Sequence, residues 1–153
     1  MKIIFVCTGN TCRSPMAEVF AEAVFQNKEI DVQVESRGLF VTENEPANDY
    51  AKFAVRNYNL SLDNHRAKQI EAKDIEESDL ILAMTVEHKT MLESMCPAEK
   101  LFTLKGYAVG IDGDISDPYG HSPAIYLECA EEIIDCIGKV ADKLGNIQKG
   151  DAQ

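Results

Sequence analysis

The sequence predicts a doubly wound α/β sandwich, four parallel strands with helices on both faces, and two observations carry that prediction. Short apolar runs without polar interruption recur along the chain, Ile3 to Val6 and Leu80 to Leu82 being the clearest. Such runs suit strands that are covered on both faces, as in a parallel sheet. Between the strands lie stretches whose apolar residues recur at helical spacing, so strand, helix and strand alternate in the order that builds parallel sheets.

The first strand, Ile3 to Val6, ends at Cys7, and Thr8-Gly9-Asn10-Thr11 has loop chemistry. Ser14-Pro15 reads as a capping residue followed by a proline that a first helical turn tolerates. Met16, Val19, Phe20, Ala23 and Val24 then predict a helix to about Asn27. Asp31 to Glu35 alternates as a second strand. Pro46 is expected to open a helix that runs to about Asn57. Asp79 to Met84 is a third strand, preceded by a short acidic helix and followed by a helix around Glu87 to Met95. Lys100 to Leu104 reads as the fourth strand. Gly106 to Pro123, rich in Gly, Asp and Pro, is expected to be irregular and functional or mobile. From Pro123 the spacing of Ile125, Leu127, Ala130, Ile133, Ile137, Val140 and Leu144 predicts a long terminal helix.

A chain of 153 residues, 45% apolar, fits one domain over residues 1–153 with a frayed tail after about residue 146. A net charge of −11 disfavours binding to nucleic acid or an anionic membrane, while leaving room for one local positive pocket. The apolar run at the amino terminus is too short for a signal-peptide core or a membrane span, which predicts a cytoplasmic chain. Its five cysteines are then reduced thiols that packing, metal binding or reactivity must explain. Neither Cys7 with Cys12 nor Cys129 with Cys136 has the spacing of a zinc site. Cys129 and Cys136, seven apart on a helix, read as core residues, and Cys96 as a thiol near the end of its helix.

The segment Cys7-Thr8-Gly9-Asn10-Thr11-Cys12-Arg13-Ser14 joins the end of a buried strand to the start of a helix. It is an anion cradle in prospect: successive amides of Thr8 to Ser14 form a nest, Gly9 is suited to a positive φ and Asn10 tolerates one, and the helix start adds partial positive charge. The same potential that holds phosphate favours an anionic Cys7 sulfur, a good nucleophile. Arg13 can grip two phosphoryl oxygens in a fork that lysine cannot supply. Ser14 is placed to donate its hydroxyl to the sulfur. An inert core cysteine beside a simple turn would show the same Cys-x5-Arg spacing, which gains meaning only from its strand-loop-helix context.

Transfer of a phosphoryl group to a thiol also needs an acid for the leaving group and then a base for water. Asp112, Asp114 and Asp117 all lie in the irregular stretch, and chemistry alone leaves each possible. Pro118 favours Asp117 by restraining its backbone. Thiolate, guanidinium and carboxyl group together cover attack, charge stabilisation and proton transfer, so no metal or organic cofactor is expected. Cys12, close to Cys7 in the loop, reads as a redox guard that traps oxidised Cys7 as a reversible disulfide.

Val6-Cys7-Thr8-Gly9-Asn10-Thr11-Cys12-Arg13-Ser14-Pro15-Met16-Ala17-Glu18 resembles the signature of low-molecular-weight protein tyrosine phosphatases and their bacterial arginine-phosphatase relatives. Asp117-Pro118-Tyr119-Gly120 is similar to their acid loop, and the likeness extends to Ser36-Arg37-Gly38 and to Asp79 to Thr85. The resemblance implies a flavodoxin-like sandwich and an enzyme that takes phosphorylated proteins and releases inorganic phosphate. It selects Asp117 as the acid, suggests Phe40 and Tyr119 as pocket walls, and assigns Ser36 and His65 to hydrogen bonds that hold Asn10. It also bears on substrate: tyrosine-directed members commonly carry a larger aliphatic residue at the position of Thr11, whereas arginine phosphatases carry threonine. Gly120 stands where many tyrosine-directed members have a second aromatic residue. Phosphoarginine is therefore the expected substrate, with phosphotyrosine the alternative.

Thioredoxin-linked arsenate reductases use a similar loop but relay the disulfide through two further cysteines near the end of the third strand, and Thr85 to Glu93 contains none. A phosphoprotein-binding module would need Arg13 but would have no use for a thiolate or a proton donor.

Overall fold

The structure, a computed structural model, describes residues 1–151. Four parallel strands, β1 (Lys2–Cys7), β2 (Gln33–Gly38), β3 (Leu80–Ala83) and β4 (Leu101–Thr103), form one sheet in the order β2-β1-β3-β4. Among the described residues six α-helices accompany them: α1 (Arg13–Asn27), α2 (Asp49–Arg56), α3 (Ala72–Glu77), α4 (Val86–Leu92), α5 (Leu104–Val109) and α6 (Pro123–Asp151).

Alternation along β1 explains why its sequence is apolar throughout. Ile3, Phe5 and Cys7 face one core with Met16 and Phe20 of α1, Ala51 and Val55 of α2, and Tyr126, Ile133 and Ile137 of α6. Ile4 and Val6 face the other, with Ile75 of α3 and Leu92 of α4. A strand buried on both faces has no side to leave polar, and each large side chain so buried contributes about 1.5–3 kcal/mol. From β1 the chain crosses to β2 on one side and later returns to β3 on the other. The carboxyl end of β1 thus opens into the crevice where the strand order reverses, the usual ligand position in open α/β sheets. Cys7 is the last residue of β1.

Several boundaries differ from those the sequence predicts. The cap of α1 is Cys12 rather than Ser14, and Ser14 lies within the first turn with its hydroxyl turned to other partners. β2 starts later and runs on to Gly38, because Ser36 and Arg37 are matched by local hydrogen bonds and tolerate the interior. α2 opens after Asn48, whose side chain accepts from the Tyr50 amide at 2.8 Å, and not at Pro46. The stretch expected to be irregular from Gly106 begins inside α5, which Thr103 caps by accepting from the Gly106 amide and Gly110 ends at φ 84°. α6 continues to Asp151, where the sequence predicts a frayed tail after about residue 146; residues 152–153 lie outside the described residues.

Gly38 matters for the site. A Cβ there would come within 2.8 Å of the Thr8 carbonyl and 3.0 Å of Asn10 Cβ, and would clash with Val41. Only glycine lets the end of β2 lie this close to the loop that follows β1.

Candidate active site

Cys7, Thr8, Gly9, Thr11, Cys12 and Arg13 line a cavity of about 290 Å³, joined by Asp117 and Tyr119 from the segment before α6 and by Glu45 from the loop before α2. Elements distant in sequence therefore meet over the carboxyl end of β1.

The loop is held from behind by Asn10. This residue is fully buried at φ 57°, the positive-φ position of the loop; Gly9, the residue better suited to such an angle, does not adopt it. A non-glycine residue accepts that conformation only where its surroundings fix it. Asn10 Oδ1 accepts from the Lys68 amide at 2.9 Å, which sets the orientation of the side-chain amide. Its Nδ2 then donates to Ser36 Oγ at 3.0 Å and to Ser14 Oγ at 2.9 Å. His65 Nε2 lies 2.7 Å from the Asn10 carbonyl and, with only that oxygen to meet, donates to it. Burial, partly opposed by this bond, pushes the His65 imidazole below its ordinary value.

Ser14 passes this order on to the nucleophile position. Its oxygen accepts from Asn10, and of the two acceptors within reach of its single hydrogen, Cys7 Sγ at 2.8 Å is nearer than the Arg37 carbonyl at 3.4 Å.

Arg13 is buried, and its Nη1 donates to the Ile115 carbonyl at 2.9 Å, which aims the guanidinium at the cavity floor. Asp117 Oδ2 lies 3.7 Å from Arg13 Nη2, with its side chain 58% exposed, and Asp117 Oδ1 accepts from the Tyr119 amide at 3.1 Å. The other two candidate acids are engaged elsewhere. Asp112 binds Lys89 Nζ at 2.8 Å and accepts from Thr103 Oγ1, and Lys89 above all holds its carboxyl below the usual range. Asp114 accepts from the Val86 amide at the start of α4. The three aspartates, among which Pro118 favours Asp117 in the sequence, meet different partners in the fold.

Tyr119 lines the cavity with 70% of its surface free, whereas Phe40 is 67% exposed and does not line it; the Phe40 amide is tied to the Thr8 carbonyl. Cys12 Sγ lies 3.4 Å from the Tyr126 hydroxyl, and burial pushes the Cys12 thiol above its ordinary value. Burial likewise pushes Cys129 up to about 12, consistent with a packed thiol.

Sequence reasoning misses two residues here. Glu45 has no local signal, since it follows Asn44 in a polar loop and is brought to the cavity by tertiary contacts of that loop. His88 of α4 is buried, with Nε2 2.8 Å from Thr8 Oγ1. Its place one helical turn before buried Leu92 marks it as inward-facing, a signal that sequence alone offers.

Comparison with known proteins agrees with this geometry. The model of the low molecular weight phosphotyrosine protein phosphatase family matches residues 2–149. The chain belongs to this family. It is 39% identical over 146 residues to a protein-arginine-phosphatase of Bacillus subtilis (strain 168), covering 94% of this chain and 97% of the relative. It is 38% identical over 143 residues to the low molecular weight protein-tyrosine-phosphatase PtpB of Staphylococcus aureus, covering 93% and 98%. Among solved structures, the YwlE arginine phosphatase in a mutant form with a phosphorylated active-site serine superposes with a TM-score of 0.91 at 37% identity, covering 95% of this chain and 96% of that one. The low molecular weight protein tyrosine phosphatase of T. tengcongensis superposes with a TM-score of 0.89 at 40% identity, covering 94% and 99%. This low-molecular-weight phosphatase is thus a hydrolase of phosphorylated proteins. Among the described residues, no helix is long and apolar enough to cross a membrane.

Proposed function

We propose that this phosphatase acts through a covalent cysteinyl phosphate on Cys7 and that phosphoarginine is its preferred protein substrate. Cys7 Sγ attacks phosphorus, the S–P bond forms as the P–N bond breaks, and Asp117 gives its proton to the leaving guanidine nitrogen. The Asp117 carboxylate then takes a proton from water, which attacks phosphorus and releases inorganic phosphate and the sulfur anion. Arg13 and the amides of Thr8 to Ser14 stabilise the charge on the equatorial oxygens. Ser14, oriented by Asn10, supports the sulfur as nucleophile and leaving group.

The observation that carries the substrate reading is the composition of the cavity: two carboxylates, Glu45 and Asp117, and small Thr11 line it together with Cys7 and Arg13. A substrate with a phosphoryl anion on a cationic guanidinium can meet Arg13 and the Glu45 carboxylate together, whereas a phenyl ring leaves the Glu45 carboxylate without a partner. The competing phosphotyrosine reading rests on Tyr119, which offers an aromatic face to a ring.

Paired measurement of kcat/KM on phosphoarginine and phosphotyrosine peptides of matched sequence tests this. The expected result is an excess for arginine of at least about tenfold, a preference worth roughly 1.4 kcal/mol. A clear excess for tyrosine overturns it. Thr11→Ile is expected to move the ratio toward tyrosine, and Glu45→Gln to lower the rate on phosphoarginine while sparing phosphotyrosine.

A further inference from the structure

His88 is not needed for the chemistry described above, yet it touches the catalytic loop. It sits on α4 with 5% of its surface exposed, its Nε2 2.8 Å from Thr8 Oγ1, while its Nδ1 is buried with no hydrogen-bond partner. Thr8 lines the Cys7 cavity and also a neighbouring cavity of about 350 Å³, where it meets His88, Arg13 and Asp117. A buried polar atom without a partner asks for a reason.

Burial, reinforced by the charge of Arg13, holds the imidazole neutral, down to about 4. A neutral ring carries one N–H. With the proton on Nδ1, a buried donor has no acceptor, and Nε2 must take the Thr8 hydrogen away from the cavity. With the proton on Nε2, the ring donates to Thr8 Oγ1, and only a lone pair is left bare. Buried donors without acceptors are the rarer case in folded proteins. The second arrangement also frees the Thr8 hydrogen to point at an anion, where a charge-assisted bond is stronger than one to a neutral ring nitrogen.

We propose that His88 is a positioning residue which, by donating from Nε2 to Thr8 Oγ1, presents the Thr8 hydroxyl as a hydrogen-bond donor to the phosphoryl group above Cys7. The phosphate cradle then contains a side-chain donor beside its backbone amides and Arg13, set by a residue 80 positions away in sequence. The inference rests on phosphate occupying the Cys7 cavity and is independent of which side chain carries it.

Four variants and one spectrum test it. With p-nitrophenyl phosphate, Thr8→Val and His88→Leu are each expected to lower kcat/KM about tenfold, the weight of one good hydrogen bond to a charged group. Inhibition by vanadate, which mimics the five-coordinate phosphorus, is expected to weaken in parallel. Thr8→Val/His88→Leu is expected to be no worse than Thr8→Val alone, and His88→Gln, whose amide can donate from a similar place, to recover most of the loss. Additive losses in the double variant, or a His88→Leu enzyme with full kcat/KM and vanadate affinity, overturn the proposal. Should His88→Leu fail to fold, nitrogen-15 NMR of the wild-type imidazole still decides: a protonated Nε2 and bare Nδ1 are expected, and the opposite tautomer overturns the assignment. Failure of the phosphatase chemistry itself would appear separately, as wild-type enzyme without turnover of the aryl phosphate.

Discussion

Replacing Asn10 by alanine removes the brace behind the phosphate loop, and the structure gives the size of the loss. Three side-chain hydrogen bonds disappear, to Ser14, Ser36 and the Lys68 amide. At about 1 kcal/mol net for each, they amount to about 3 kcal/mol. Alanine at the positive φ of position 10 adds about 1 kcal/mol more. Asn10→Gly loses the same bonds but tolerates the angle, so it should be the milder change by about 1 kcal/mol. Equilibrium urea unfolding followed by circular dichroism is expected to give a deficit of about 4 kcal/mol for Asn10→Ala, or a fall in Tm of roughly 8–16 °C. Because Asn10 also orients the Ser14 hydroxyl toward Cys7, kcat on p-nitrophenyl phosphate should fall by about tenfold or more in both variants. A deficit below about 1 kcal/mol for Asn10→Ala, or unchanged turnover in both variants, would refute the brace.

Two further predictions concern pH and oxidation. The native His88 imidazole takes up a proton only near pH 4, whereas in the unfolded chain it does so near 6.5. Its contribution is therefore complete above pH 6.5 and is lost as pH falls toward 4, by up to roughly 3 kcal/mol; half-buried Glu18, with its carboxyl pushed up, offsets part of this at the acid end. Urea midpoints across that range are expected to drop for wild type and to drop less in His88→Phe, where the lowered His65 imidazole still contributes, and an equal slope in both would remove His88 as a cause. Mild peroxide should oxidise the Cys7 sulfur to a sulfenic acid, which Cys12 converts to a disulfide with release of water; mass spectrometry that finds Cys7 sulfinic acid with Cys12 free would rule this out. The raised Cys12 thiol implies that closure is faster at alkaline than at neutral pH.

The parts of this protein that were legible in its sequence are those whose physics is local. β1 announces itself because both of its faces are buried, and the cradle because strand end, loop amides, thiol and guanidinium fall within eight consecutive residues. The extent of β2 was hidden, since Ser36 and Arg37 look like loop residues until their partners Asn10, Glu35 and Asp74 are in place. α5 was hidden by Gly106 and by the turn-rich composition that follows, although Thr103 and Gly110 mark its two ends. The positive angle fell on Asn10 rather than Gly9 because the buried side chain, and not backbone freedom, fixes that turn.

From the sequence by itself came the α/β class, the anion cradle and a nucleophile-arginine pair, all set by short-range spacing and periodicity. Tertiary structure alone gave Asp112 and Asp114 partners away from the cavity, left Phe40 outside it, and brought Glu45 and His88 to the loop. The physical reason is that a side chain's role is set by the partner it meets, and for these residues the partner lies tens of positions away, across a sheet edge that only the folded chain creates.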